Sequence, residues 1–246
     1  MAILDWAKTA STDTLLPPPD AIEKDVSIQK GGERYVFSPL FPLAATLTYY
    51  TFLSPSSQLH HVFIPLTAAL IALVFWLSRN RDRLEKLHLR TEGVKKALMN
   101  GAAIGIGLGL FNLFVIVKLT PWLGHSNEFL KKTPHAALPF WTMFPFGILL
   151  IGFLIEILFR GWTLGRLLIV LRRIRGGAWF AVLLSAAYFS FDPFMVAYFK
   201  EYHWLALTDG IIWGGLFLKT RNLFSTISAH TVEVWIVYLI LKVFYA

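Results

Sequence analysis

Long apolar stretches separated by short polar segments dominate the chain after residue 35. Seven of them approach the roughly 20 apolar residues that a helix needs to cross a bilayer. They span residues 36–53, 61–78, 97–117, 139–159, 178–199, 203–218 and 223–241, and the sixth is short for a full crossing. The pattern predicts an all-α, polytopic integral membrane helical bundle with about seven transmembrane spans.

The regions outside these stretches suggest three parts. Residues 1–35 are polar, contain three consecutive prolines and lack the apolar core of a signal peptide, which predicts a cytoplasmic polar leader. Residues 36–118 are expected to form shielding transmembrane helices with a basic inner loop over 79–96. Residues 139–246 are expected to form a transmembrane core.

The amino-acid composition excludes several classes of protein and several kinds of catalytic chemistry. The chain is 56% hydrophobic and 15% charged, with mean hydropathy +0.57, which excludes an ordinary water-soluble protein. It contains no cysteine, which excludes disulfides, thiolate metal sites and a cysteine nucleophile. Any chemistry must therefore use carboxylates, histidine, hydroxyl groups or tyrosine.

The basic charge follows the predicted topology. Of the 23 Lys and Arg residues, 17 fall in the leader and the predicted inner loops, which gives an N-terminus inside and a C-terminus outside. The net charge of +8 is thus explained by membrane orientation, and we expect the lipid bilayer rather than nucleic acid as a partner. The basic inner face and the absence of cysteine are typical of a bacterial inner (plasma) membrane protein.

A stripe of glycines lies on the third predicted span. Gly101, Gly105 and Gly109 are spaced four apart, so they share one helix face. Small residues at this spacing allow a second helix to approach closely within a membrane. We therefore predict a tight helix–helix contact along this face.

Ionisable residues are confined to the last four predicted spans. A charged side chain at a helix centre costs roughly 2.5–3.5 kcal/mol on insertion scales, so each one needs a partner, a wet cavity or a function. The distribution predicts a polar cavity among the last four spans, shielded from lipid by the first three. The residues concerned are Glu156, Arg160, Asp192, Asp209, His230 and Glu233.

Each of these residues has a structural alternative. Glu156 and Arg160, one turn apart, form either a structural ion pair or a carboxylate held ready to deprotonate water. Asp192 precedes Pro193 and either lines a pocket at a helix bend or caps a helix. Asp209 is predicted to bond a backbone amide at a helix break, and His230, one turn from Glu233, either packs or catalyses.

The order of these features resembles a known family. The segment from Ile155 to Gly161, the aromatic segment ending at Asp192 and the late His230 resemble the CPBP (CAAX protease and bacteriocin-processing, Abi) family of intramembrane proteases. The resemblance covers residues 139–241 and marks 139–246 as a CPBP-like core. It implies a membrane-embedded helical hydrolase in which Glu and His activate water while a second His and an Asn stabilise the oxyanion.

The chain departs from that family at three of four chemical positions. In Glu-Glu-x-x-x-Arg the first Glu is Ile155, whereas Glu156 and Arg160 match. In Phe-x-x-x-His, Tyr188 and Asp192 replace both residues, and in His-x-x-x-Asn only His230 matches because position 234 is valine. Loss of one oxyanion donor typically costs about 10²–10³ in rate.

Three functions are compatible with this pattern. The first is a divergent CPBP-like intramembrane endopeptidase acting on a membrane-associated peptide or protein tail. Its catalytic residues would be Glu156, Asp192 and His230, supported by Arg160, Glu233 and Asp209. The alternatives are a catalytically inactive pseudoprotease that binds a membrane partner, and an ion- or proton-coupled transporter with Asp192, Asp209, Glu156 and His230 on its path. No cofactor is expected, although Asp192, Glu233 and His230 offer ligands for a divalent metal.

Overall fold

Regular structure in the described part of the chain is entirely helical. The computed structural model describes residues 35–52, 58–128, 130, 138–193, 195–196 and 202–245, and no strand occurs among them. The predicted all-α class is therefore confirmed. The predicted polar leader lies outside the described residues, apart from Tyr35.

Eight helices follow one another along these segments. They are α1 (Leu40–Phe52), α2 (Gln58–Arg79), α3 (Arg83–Lys86), α4 (Val94–Trp122), α5 (Phe140–Leu171), α6 (Gly177–Ser190), α7 (His203–Thr220) and α8 (Leu223–Tyr245). Helix α4 includes a π-helical turn at Val115–Leu119, and α5 includes one at Ile157–Leu164. Helix α5 is also kinked within Met143–Gly147, where Phe144 is not helical (φ −107°, ψ 130°). Between α2 and α4, the basic inner loop is helical only in α3.

Every predicted span coincides with one of these helices, but they differ in length. Among the described residues, three helical segments are long and apolar enough to cross a membrane: Val94–Trp122, Phe140–Leu171 and Leu223–Lys242. Pro65–Arg79 and Gly177–Ser190 are shorter apolar helices. The protein is thus a helical membrane protein with three such helices, and the total of seven spans stays a prediction.

Helix α5 is longer than its predicted span, which ended at residue 159 before Arg160. The helix continues to Leu171 because its arginines are paired inside the protein. Arg160 forms an ion pair with Glu156, while the Arg166 Nη2 atom donates a 2.7 Å hydrogen bond to the carbonyl of Lys86. The arginines that the sequence pattern places beyond the end of the span are therefore buried side chains within the helix.

Helix α6 is shorter than its predicted span of 178–199. It ends at Ser190, Phe191 forms a turn, and Asp192 has no regular conformation. Pro193 lacks an amide hydrogen and disfavours helical geometry at the residue before it. The predicted interruption at Asp192 and Pro193 is confirmed, although it ends the helix rather than bending it.

The predicted glycine stripe is where α4 and α8 pack together. A side chain at Gly101 would overlap the carbonyl oxygen of Ser225, and one at Gly105 would overlap that of Ala229. At Gly109 an added Cβ would lie 3.0 Å from the Ile236 Cβ and 3.1 Å from the Glu233 carbonyl oxygen. The two helices therefore touch backbone to backbone, as the spacing predicts.

Candidate functional site

Glu156 joins two helices at the centre of the fold. Its side chain is fully buried (0% exposed), and its Oε1 atom lies 2.9 Å from His230 Nδ1 on α8. The same oxygen lies 3.2 Å from Arg160 Nη1, one turn further along α5. The ion pair predicted for Glu156 is thus present, and the same oxygen also meets the histidine of the last helix, whereas a role in deprotonating water stays a prediction.

Aromatic rings hold His230 in place. The imidazole stacks on the ring of Trp213 from α7, with centroids 4.3 Å apart and an angle of 17° between the planes. The ring of Phe189 from α6 meets it edge to face at 6.4 Å. The hydrogen bond to Glu156 and these rings together fix the orientation of the imidazole.

Arg160 occupies the space between three helices. Its guanidinium carbon lies 4.7 Å from the ring centre of Phe189 and 4.8 Å from that of Trp213. Its Nη2 atom lies beside α7, 3.4 Å from where a Cβ would stand on Gly210. Neither Nη atom has a hydrogen-bond partner among the described residues, because the contact with Glu156 is an ion pair without hydrogen-bond alignment.

A second polar group lies beside the first. The Asn112 Nδ2 atom on α4 donates hydrogen bonds to Asp209 Oδ2 (3.0 Å) and to Glu233 Oε1 (2.8 Å). Asp209 was predicted to bond a backbone amide, but its described partner is this side chain. The two carboxyl groups also interact directly, and both interact electrostatically with Arg160.

Asn112 corrects the prediction that the polar site involves only the last four spans. A search for charged residues passes over it because an amide carries no charge. Two signals were available: Asn112 is a polar side chain within an apolar span, and it lies three residues after Gly109, on the face that packs against α8. The third span therefore contributes to the site as well as shielding it.

Asp192 follows the end of α6 and precedes the next helical residues. Its carbonyl accepts a 3.0 Å hydrogen bond from the Val196 amide, as the carbonyl of a residue at a helix N-terminus does. Its side chain is half-buried and interacts electrostatically with Tyr188, whereas α6 directs Phe189 towards the Glu156–His230 pair. Ile155, at the position of the family's first Glu, packs into the apolar cluster that contains Phe159. The side chains beside the Glu156–His230 pair are instead Phe189 of α6 and Trp213 of α7.

The proposed metal ligands do not come together. Within the described ranges, no group of three or more His, Asp or Glu side chains is arranged to hold a metal ion. His230 is bonded to Glu156, and Glu233 is bonded to Asn112. Among the described residues, Asp192, Glu233 and His230 thus do not form a group that could hold a metal ion.

Comparison with known proteins identifies the segment that carries this site. Residues 137–236 match the family model of the Rce1-like proteins, described as type II CAAX prenyl endopeptidase Rce1-like. No curated protein and no solved structure matched the chain. The matched segment includes Glu156, Arg160, Asp209, His230 and Glu233. The match confirms that residues 137–236 resemble the CPBP family.

Proposed function

We propose that the protein is a divergent CPBP-like intramembrane endopeptidase that hydrolyses a peptide or protein tail held at the membrane. The observation that carries the proposal is the 2.9 Å contact between Glu156 and His230 within the family-matched segment. These are two of the residue types with which the family activates water. They come from α5 and α8, and both are buried.

Glu156 and His230 have complementary roles in this proposal. A proton on His230 Nδ1 donates to the Glu156 carboxylate, which leaves the Nε2 lone pair free to accept a proton from water. The carboxylate also stabilises the imidazolium that forms, as a carboxylate does in other acid–histidine pairs. Arg160 balances the charge of Glu156 while the histidine is neutral.

A pseudoprotease is the second candidate, and the side chains around the pair favour it. Ile155 cannot accept a proton, Val234 cannot donate a hydrogen bond, and α6 presents the ring of Phe189 to the pair. In this role the buried polar residues would maintain the fold, and a membrane-anchored peptide or protein would bind without being cut. The third function, an ion- or proton-coupled transporter, stays a prediction.

We propose the bilayer and a membrane-anchored peptide or protein as partners, with no nucleic acid. The apolar faces of α4 and α5 support the bilayer as a partner, since large side chains such as Phe114 and Leu150 are more than half exposed. We also propose a bacterial inner membrane and a cytoplasmic N-terminus, the latter supported by the distribution of Lys and Arg in the sequence.

His230→Ala is expected to reduce cleavage by at least about 10²-fold, the usual contribution of a general base. The assay uses purified protein in proteoliposomes and fluorescence-quenched peptides with and without a farnesylated C-terminal cysteine. His125→Ala is the matched control, because His125 is exposed and lies outside the described clusters.

Two results would contradict this proposal in different ways. If His230→Ala cleaves as fast as the unmodified protein, the Glu156–His230 pair is not the catalytic site. If the unmodified protein cleaves no peptide but retains a membrane partner on purification, and the Phe189→Ala variant loses that partner, the pseudoprotease is supported instead.

A further inference from the structure

We propose that Asp209 and Glu233 form a carboxyl pair that holds the attacking water for His230 and protonates the peptide carbonyl oxygen. This inference rests on the proposed endopeptidase function and adds a second set of catalytic residues to the same site. None of the three family motifs includes Asp209, Glu233 or Asn112.

The first observation is the geometry of the pair. Asp209 and Glu233 are 5% and 4% exposed, come from α7 and α8, and are bridged by the Asn112 amide. One amide nitrogen lies within 3.0 Å of an oxygen of each carboxyl group, which brings the two groups close together. Two carboxylates this close in a buried site cannot both be ionised at low cost, so we expect the pair to hold one proton between its members.

The second observation is a buried cation beside the pair whose donors are not used. Arg160 is 1% exposed, and its Nη2 atom has no hydrogen-bond partner among the described residues. That atom lies next to Gly210, the neighbour of Asp209, and the guanidinium interacts electrostatically with both carboxyl groups. It therefore offers a donor towards the oxygens of the pair.

The available polar atoms match the needs of a water molecule. Asp209 Oδ1 and Glu233 Oε2 are buried and lack hydrogen-bond partners in the described part of the chain, as does Arg160 Nη2. A buried water is held by two to four polar atoms, which include both hydrogen-bond donors and hydrogen-bond acceptors. Glu233 lies one turn from His230 on α8, which places such a water on the side of the helix that carries the histidine.

The pair and His230 can carry out hydrolysis without another reactant. As the water oxygen attacks the peptide carbonyl carbon, His230 Nε2 takes a proton from that water, and the protonated carboxyl of the pair gives its proton to the carbonyl oxygen. The resulting gem-diol is neutral. When the C–N bond breaks, the imidazolium passes its proton to the leaving nitrogen, and the pair recovers a proton from a hydroxyl of the diol. The products are a carboxylic acid and an amine.

Other charged groups face the pair and affect its titration. Glu156 and Arg160 face it from α5, and His230 lies on the same helix as Glu233. Helix α4 contributes the neutral Asn112. The pH dependence of cleavage must therefore be compared between the unmodified protein and variants of the pair, because it cannot be assigned to a single residue.

The test replaces each carboxyl with its isosteric amide. Asp209→Asn and Glu233→Gln are each expected to lower the rate of farnesylated-peptide cleavage by about 10²–10⁴-fold. Asp82→Asn and Glu128→Gln, both exposed, are the matched controls and should keep full activity. The double variant Asp209→Glu with Glu233→Asp preserves two carboxyls and should recover part of the rate.

Infrared spectroscopy supplies a readout that does not depend on activity. The carbonyl stretch of a protonated carboxyl is expected at neutral pH in the unmodified protein, shifted in D₂O, and absent from both amide variants. A band that persists in both variants would overturn the shared proton and with it the proposal.

The outcomes separate this inference from the function on which it rests. If the unmodified protein cleaves peptide, Glu156→Gln does not, and both amide variants cleave within twofold of normal, the endopeptidase stands and the carboxyl pair is overturned. If the unmodified protein cleaves nothing, the endopeptidase itself fails. The carboxyl pair is supported if both amide variants stay folded by size-exclusion chromatography but lose cleavage, and if the double variant with exchanged carboxyls keeps part of the cleavage rate.

Discussion

Replacing Glu156 with glutamine is expected to abolish detectable peptide cleavage and to destabilise the fold. The amide cannot hold His230 as a carboxylate does, so the general base loses its orienting partner, which costs about 10²–10⁴ in rate. The change also leaves Arg160 buried without its counter-ion. Removing one member of a buried ion pair usually costs about 3–5 kcal/mol of stability.

Two measurements separate these effects of Glu156→Gln. Thermal unfolding in detergent reports the loss of stability, and the cleavage rate per folded molecule reports the catalytic loss. Glu128→Gln is the matched control because that residue is exposed. An unchanged unfolding temperature together with normal cleavage would mean that the buried contacts of Glu156 serve neither purpose.

Gly105→Val is expected to separate α4 from α8 and to cause a large loss of stability. The new side chain would overlap the Ala229 carbonyl, and backbone cannot move aside as a flexible side chain can. Overpacking of a tight core typically costs about 1–3 kcal/mol and occasionally more. We expect the upper end of that range, with loss of the Asn112 bridge as the helices move apart.

Gly107→Val is the control for this prediction. Gly107 lies on the same helix, but no atom stands within 4 Å of where its Cβ would be. Unfolding in detergent, followed by tryptophan fluorescence, compares the two variants. Equal unfolding temperatures for Gly105→Val and Gly107→Val would show that the close approach contributes little.

Local patterns in the sequence were sufficient to predict several of these features. The Glu156–Arg160 pair depends only on a four-residue spacing, and the glycine stripe depends on the same periodicity. The positions of the helices followed from hydropathy, since each apolar stretch coincides with a helix. The interruption after α6 followed from the backbone restrictions of Pro193.

The missed features depend on how separate helices are rotated against each other. The sequence does not indicate that α6 turns Phe189 towards His230, or that Trp213 stacks on it, because these contacts join three helices. Asn112 was missed for the same reason, since its partners lie on α7 and α8. The length of α5 was underestimated because hydropathy counts a buried, paired arginine as a helix end.

The two partners of Glu156 become available at different times as the chain is made. Arg160 enters the bilayer on the same helix, whereas His230 follows Glu156 by 74 residues. At about 5–20 residues per second, translation separates the two events by several seconds. During that interval the arginine neutralises the carboxylate within a single helix, which lowers the cost of inserting α5. The Glu156–His230 contact can form only after α8 has been synthesised, so a chain released before α8 would insert without assembling the site.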